Sequence, residues 1–144
     1  MQLNNLLFIA LLAASGLVHA QPINDLDEFH GKIEKCIKGD KPDACLNKLL
    51  PQRFPPGNEQ MLKKISQVTS LLLKWLGDDK VYAIHPIKTT KAGNLHERRV
   101  FVIEADKGGF MVLDTAYLRL HGDLYLFNFN LSSRKEKIEA LFED

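Results

Sequence analysis

The chain has no excess of charge, no third cysteine, a single tryptophan, and no Asp, Glu, Lys or Arg in its first twenty residues. Each scarcity excludes something. Lys and Arg number 19 against 18 Asp and Glu, and the resulting net charge of +1 argues against a protein built to wrap nucleic acid. The two signs are interspersed, which also argues against a polybasic membrane tether. There is no G-x-S-x-G, phosphate-binding loop, dinucleotide fingerprint or zinc-protease helix, so neither catalysis nor a cofactor has a signature. His30, His85, His96 and His121 fall at no spacing that makes a metal pair, and no metal is expected.

What is present begins with a leader. The run Leu6 to Ala14 is apolar but too short to span a bilayer, and Val18-His19-Ala20 supplies the small residues that a signal peptidase reads. Residues 1–20 are therefore read as a cleaved signal peptide and residues 21–144 as one domain. No later run has membrane-spanning length, so the product is expected to be periplasmic or secreted, without membrane insertion after cleavage. Cys36 and Cys45 lie in the mature part, where an oxidising compartment makes their disulfide the default. It closes a loop worth roughly 2.5 to 3 kcal/mol in chain entropy.

The hydrophobic period then divides the domain in two. Asn24 is placed to cap a helix bearing Leu26, Phe29, Ile33, Cys36 and Ile37, which Gly39 ends. A second short helix runs from Asp43 to Leu50, and the Pro-rich stretch 51–57 separates it from a long helix over 58–76. In that helix Met61, Ile65, Val68, Leu72 and Trp75 form the packing stripe, Trp75 being read as core filler. Leu71 and Leu73 fall off the stripe, which implies a contact on a second side. After Gly77 the period becomes two, and strands are predicted over 81–89, 97–105, 110–120 and 124–131. The fold class is thus α+β: N-terminal helices followed by a four-stranded antiparallel meander curved around one long helix. Ser133 and Glu136 have the spacing of a capping box for a short C-terminal helix.

Turn chemistry predicts the register. A tight connection at 106–109 pairs Ala105 with Phe110 and Phe101 with Asp114, and a turn at Gly122-Asp123 pairs Leu120 with Tyr125. Arg99 and Asp114 then share the concave face, as a buried ion pair or as a pocket. A proton-transfer role for Asp114 with His85 is the catalytic alternative. Val100, Val102, Leu113, Tyr117 and Leu126 fall on the opposite face, which is too apolar for plain solvent and is expected to meet a second copy of the chain or another protein, or else to be covered by the N-terminal helices. Asn130-Leu131-Ser132 fits a glycosylation sequon.

Helices followed by a curved meander around a long helix resemble the small α+β proteins of the nuclear transport factor 2-like and cystatin-like groups. In the first group the concave sheet face commonly holds a ligand or an acid and base, and the convex face commonly dimerises. Gln67 to Leu71 lies in a helix and lacks the glycine of the cystatin inhibitory loop, so thiol-protease inhibition is not carried over. Two functions follow. The first is a non-catalytic periplasmic or secreted protein-binding module, such as an immunity protein, an inhibitor or an envelope-assembly subunit. The alternative is a small-ligand pocket protein, or a lyase- or isomerase-like enzyme using a carboxylate on the concave face.

N-terminal sequencing of the protein exported by its native host is expected to begin at Gln21. Exported material that starts at Met1 would count against cleavage.

Overall fold

The computed structural model describes residues 19–143, so the expected leader lies, apart from His19 and Ala20, outside the described residues. The chain forms α1 (Leu26–Lys38), α2 (Pro42–Leu49), a single 3-10 turn (Pro51–Arg53) and α3 (Glu59–Leu76). Four strands follow, β1 (Val81–Ala92), β2 (His96–Ala105), β3 (Phe110–Leu120) and β4 (Asp123–Ser132), and then α4 (Lys135–Glu139). The sheet is antiparallel in the order β1-β2-β3-β4, which is the predicted α+β meander. No helix among the described residues is long and apolar enough to cross a membrane.

Local chemistry sets the helix ends. Asp25, rather than Asn24, caps α1, its Oδ1 accepting the Glu28 N–H at 2.9 Å. Pro42 opens α2, where its missing N–H costs nothing. The capping box predicted at Ser133 and Glu136 does not form: Arg134 occupies the N-cap of α4 without a side-chain cap bond. Cys36 and Cys45 are disulfide-bonded, with Cα atoms 5.2 Å apart, and tie the last turn of α1 to α2. Such a pair points to a protein that folds outside the reducing cytoplasm. The segment just after the expected cleavage point is tied to the body. The N–H groups of Gln21 and Ile23 donate to Gln52 and Leu124 carbonyls at 2.6 and 2.7 Å, and Arg53 donates to the Pro22 carbonyl at 3.0 Å.

The register differs from the predicted one at both hairpins. Glu104 pairs with Phe110 and the Ala105 N–H donates to the Gly109 carbonyl, so the β2–β3 connection is the three residues Asp106–Gly108. Gly108, at φ 85°, takes the left-handed position that such a loop requires. Gly109 enters the ladder instead of the turn, and that single residue exchanges the faces of β3 relative to β2. At the other end His121 (φ 50°) and Gly122 (φ 88°) form the two-residue turn, matching a type I′ geometry, and Leu120 pairs with Asp123. A bulge at Phe127 then shifts β4 by one residue. Leu124 and Leu126 before it, and Phe129 and Leu131 after it, all face the helices as a result.

The core consequently joins Phe29, Ile33 and Ile37 of α1, Leu46 of α2 and Ile65, Val68 and Leu72 of α3 to Ile103, Leu113, Tyr117, Leu126 and Phe129 of the sheet. Three of the five residues expected at an interface, Leu113, Tyr117 and Leu126, are therefore core residues. Val100 and Val102 do lie on the opposite face, with Ala116, and are buried there. Two polar pairs on the diagonals cross these short side chains: the Arg98–Asp114 ion pair and the His85–Glu104 hydrogen bond. Trp75 packs against the core with its ring 3.7 Å from where a Cβ on Gly109 would sit.

Leu113→Ala should cost about 2–5 kcal/mol, read as a lower urea midpoint with unchanged slope and unchanged sedimentation. A variant of parental stability whose association state changes would restore the interface reading.

Candidate cleft between the first helix and the sheet

α1 presents two adjacent stripes. Phe29, Ile33, Cys36 and Ile37 face the core, while Asp27, His30, Gly31 and Glu34 recur at helical spacing beside them. The second stripe, with Ile84, Arg99, Phe101 and Leu113 of the sheet, lines an open cleft of about 250 Å3.

Arg99 is the organising charge. Its Nε donates to Glu97 Oε1 at 2.7 Å and its Nη1 to Asp27 Oδ1 at 2.6 Å, the second bond tying β2 to α1. Its side chain is only 19% exposed. Burial works against the guanidinium charge, but the bonds to Asp27 and Glu97 outweigh it and hold the pKa above its ordinary value. The same hydrogen bond holds Asp27 below the usual carboxylate range. The Arg99 carbonyl accepts the Thr115 hydroxyl at 3.1 Å, which satisfies a polar side chain buried in the sheet.

His30 sits between Phe101 and Tyr117, with ring centroids 4.8 and 5.4 Å away. Its Nε2 lies 2.6 Å from the Tyr117 hydroxyl. Burial, and then the neighbouring Arg99 charge, push the imidazole pKa down to about 4, so the ring is neutral at pH 7. Burial raises the Tyr117 phenol, which stays protonated and shares this hydrogen bond with Nε2. Neither group has a pKa near neutrality, where general acid–base exchange is efficient. The arrangement is suited to holding a ligand by hydrogen bonds: an imidazole, a guanidinium and the Asp27 and Glu34 carboxylates stand beside aromatic and aliphatic walls. No group of three metal-ligating side chains occurs among the described residues.

The predicted Arg99–Asp114 pair does not form, because the one-residue register change puts the two on opposite faces. Asp114 accepts a bidentate bond from Arg98, at 2.9 Å from Nε and 2.5 Å from Nη2, on the face away from the helices. With Arg98 half-exposed, a pair of this kind contributes up to about 1 kcal/mol. His85 shares that face but binds Glu104, Nε2 to Oε2 at 2.7 Å, and the proposed partnership with Asp114 is not made. Of the predicted site residues only Arg99 and Leu113 reach the cleft. Asp27, His30 and Glu97 were missed. The legible signal was the polar stripe at 27, 30, 31 and 34 running beside an apolar one, with a glycine in mid-helix.

No protein-family model matches the chain, and no curated protein matches it. Among solved structures, the crystal structure of a DUF4783 family protein from Bacteroides uniformis superposes with a TM-score of 0.47 at 9% identity, over 77% of this chain and 99% of that one.

The buried imidazole makes stability depend on acid. With the folded pKa lowered from 6.5 to about 4, the unfolded chain binds more protons between those values. The stabilisation is complete above pH 6.5 and falls as pH drops toward 4, by on the order of 3 kcal/mol. Asp27, Glu97, Arg99 and Tyr117 face the ring, and Asp27, with its lowered pKa, adds acid sensitivity of the same sign. Urea unfolding across pH 4–7 should show this slope in the parent and a much flatter one in His30→Gln. Equal slopes would mean that His30 is solvated.

Proposed function

We propose that the protein is a small non-catalytic binding module of the periplasm or extracellular space that holds a small polar ligand in the cleft between α1 and the sheet. The observation that carries this reading is Gly31. In mid-helix a glycine costs about 1 kcal/mol relative to alanine, and a Cβ built there meets nothing within 4 Å. Packing does not require it. Gly31 instead forms part of the cleft wall, where a side chain would project into the open space. Loss of helix stability where the fold gains nothing is expected of a position kept clear for a ligand. The resemblance to nuclear transport factor 2-like proteins, whose concave sheet face commonly holds a ligand, supports the same place.

The ligand that fits is small, carries both hydrogen-bond donors and acceptors, and has an apolar edge to set against Phe101 and Ile84. The neutral His30 imidazole offers a hydrogen-bonding nitrogen, and the Asp27 and Glu34 carboxylates on the cleft wall offer acceptors. The reading as a protein-binding module rests on residues other than those first expected. Tyr82, Phe110 and Phe127 of the sheet are 67, 47 and 49% exposed, and exposed aromatics are typical of interface anchors.

Gly31→Ala is expected to raise stability by about 1 kcal/mol in urea, and Gly31→Leu to fold while closing the cleft. The parent should show shifts of the His30 ring signals when small amides, amino acids and carboxylic acids are screened by NMR, and Gly31→Leu should lose them. Shifts that persist in Gly31→Leu, or a panel in which no compound shifts the ring, would overturn the assignment.

A further inference from the structure

A second cavity lies between α3, the paired ends of β3 and β4, and the entry to α4. It measures about 420 Å3, within the range of small-molecule sites. Its floor is Met111 and Leu131 and one wall is Leu71, whose side chain falls off the packing stripe of α3 and is 50% exposed. The opposite rim is polar: Ser132, Ser133, Arg134 and Lys137. No carboxylate among the described residues lines it. Among the described residues Lys135 is the α4 cation that is paired, with Glu139 at 3.3 Å, whereas Arg134 and Lys137 take part in no ion pair. The unformed capping box contributes a further group. Ser133, which the sequence placed to cap α4, makes no cap bond and lines the cavity, while Ser132 Oγ accepts the Arg134 N–H at 3.3 Å.

We infer that this cavity binds a small amphipathic anion, a carboxylate or phosphate head on an apolar body. Two cations with no ion-pair partner among the described residues line the rim with a hydroxyl, where an anionic oxygen would be bonded and neutralised. The apolar body would cover the half-exposed Leu71, above the buried Met111 and Leu131, and remove it from water. Charge at the rim and the apolar Leu71 wall select together: a bare anion leaves Leu71 wet, and an uncharged chain leaves the cations unanswered. This site shares no residue with the α1 cleft and does not depend on it.

The test uses the mature chain, labelled for NMR, with octyl phosphate kept below its micelle concentration, and inorganic phosphate and 1-octanol as the two half-ligands. Octyl phosphate should move the amide signals of residues 132–137 and the methyl signals of Leu71 and Met111, and bind at least tenfold tighter than either half. Arg134→Gln with Lys137→Gln should weaken it at least tenfold. Leu71→Asp, at an exposed position that leaves the fold intact, should weaken octyl phosphate while sparing inorganic phosphate. Gly31→Leu should leave the affinity unchanged. Binding no tighter than that of a half-ligand, equal affinity in the double variant, or shifts centred on His30 would overturn the assignment. So would binding to phosphatidylglycerol vesicles without binding of the monomeric amphiphile, which would mark a membrane-contact surface instead.

Discussion

The three-residue connection Asp106–Gly108 decides which half of this sheet is core. Strand side chains alternate, so the entry of Gly109 into the ladder fixes that Ile103 shares a face with Met111 and Leu113, and that Asp114 shares one with Val100. The helices then have a continuous apolar surface to cover. The bulge at Phe127 completes it by turning Phe129 and Leu131 to the same side as Leu126. Without that extra residue half of β4 would carry its apolar side chains outward.

The same constraint builds the cleft. With β2 in this register, Arg99 and Phe101 point toward α1, and Tyr117 stands beside them from β3. Arg99 is then anchored by Asp27 from the helix and Glu97 from its own strand, a charge held by two opposite charges and largely removed from solvent. His30 is kept neutral between the Arg99 charge and the Tyr117 hydroxyl. A positioned guanidinium, a neutral imidazole and a buried phenol form a fixed hydrogen-bonding surface, and its acid sensitivity follows from the imidazole being buried rather than from its sequence neighbours.

On the outward face the valines could have remained an open apolar patch. Arg98 with Asp114 and His85 with Glu104 lie across them on the diagonals, and Val100 and Val102 are buried beneath these longer chains. The β1 edge is guarded in a similar way: Pro86 interrupts its donors, register shifts fall at Tyr82 and Ile87, and Lys88 and Lys91 charge its exposed end. Exposed aromatic surface survives at Tyr82, Phe110 and Phe127, and the off-stripe Leu71 faces the cavity beside α4.

Sequence period and turn residues alone determined the α+β class, the order of helices and strands, the burial of the Phe29, Ile33 and Ile37 stripe, and the pairing of the two cysteines. These are local or combinatorial facts: a period of 3.6 or 2 is written in a dozen residues, and two cysteines have one partner each. The faces of the sheet were not legible, because Asp106-Lys107-Gly108-Gly109 closes a hairpin with three residues or with four, and only the packing of Met111 and Leu113 under the helices selects three. The partners of Arg99 were hidden for the same reason: Asp27 lies 72 residues away in sequence, and only the docking of α1 on the sheet, with Tyr117 reaching His30 across it, brings the charges together.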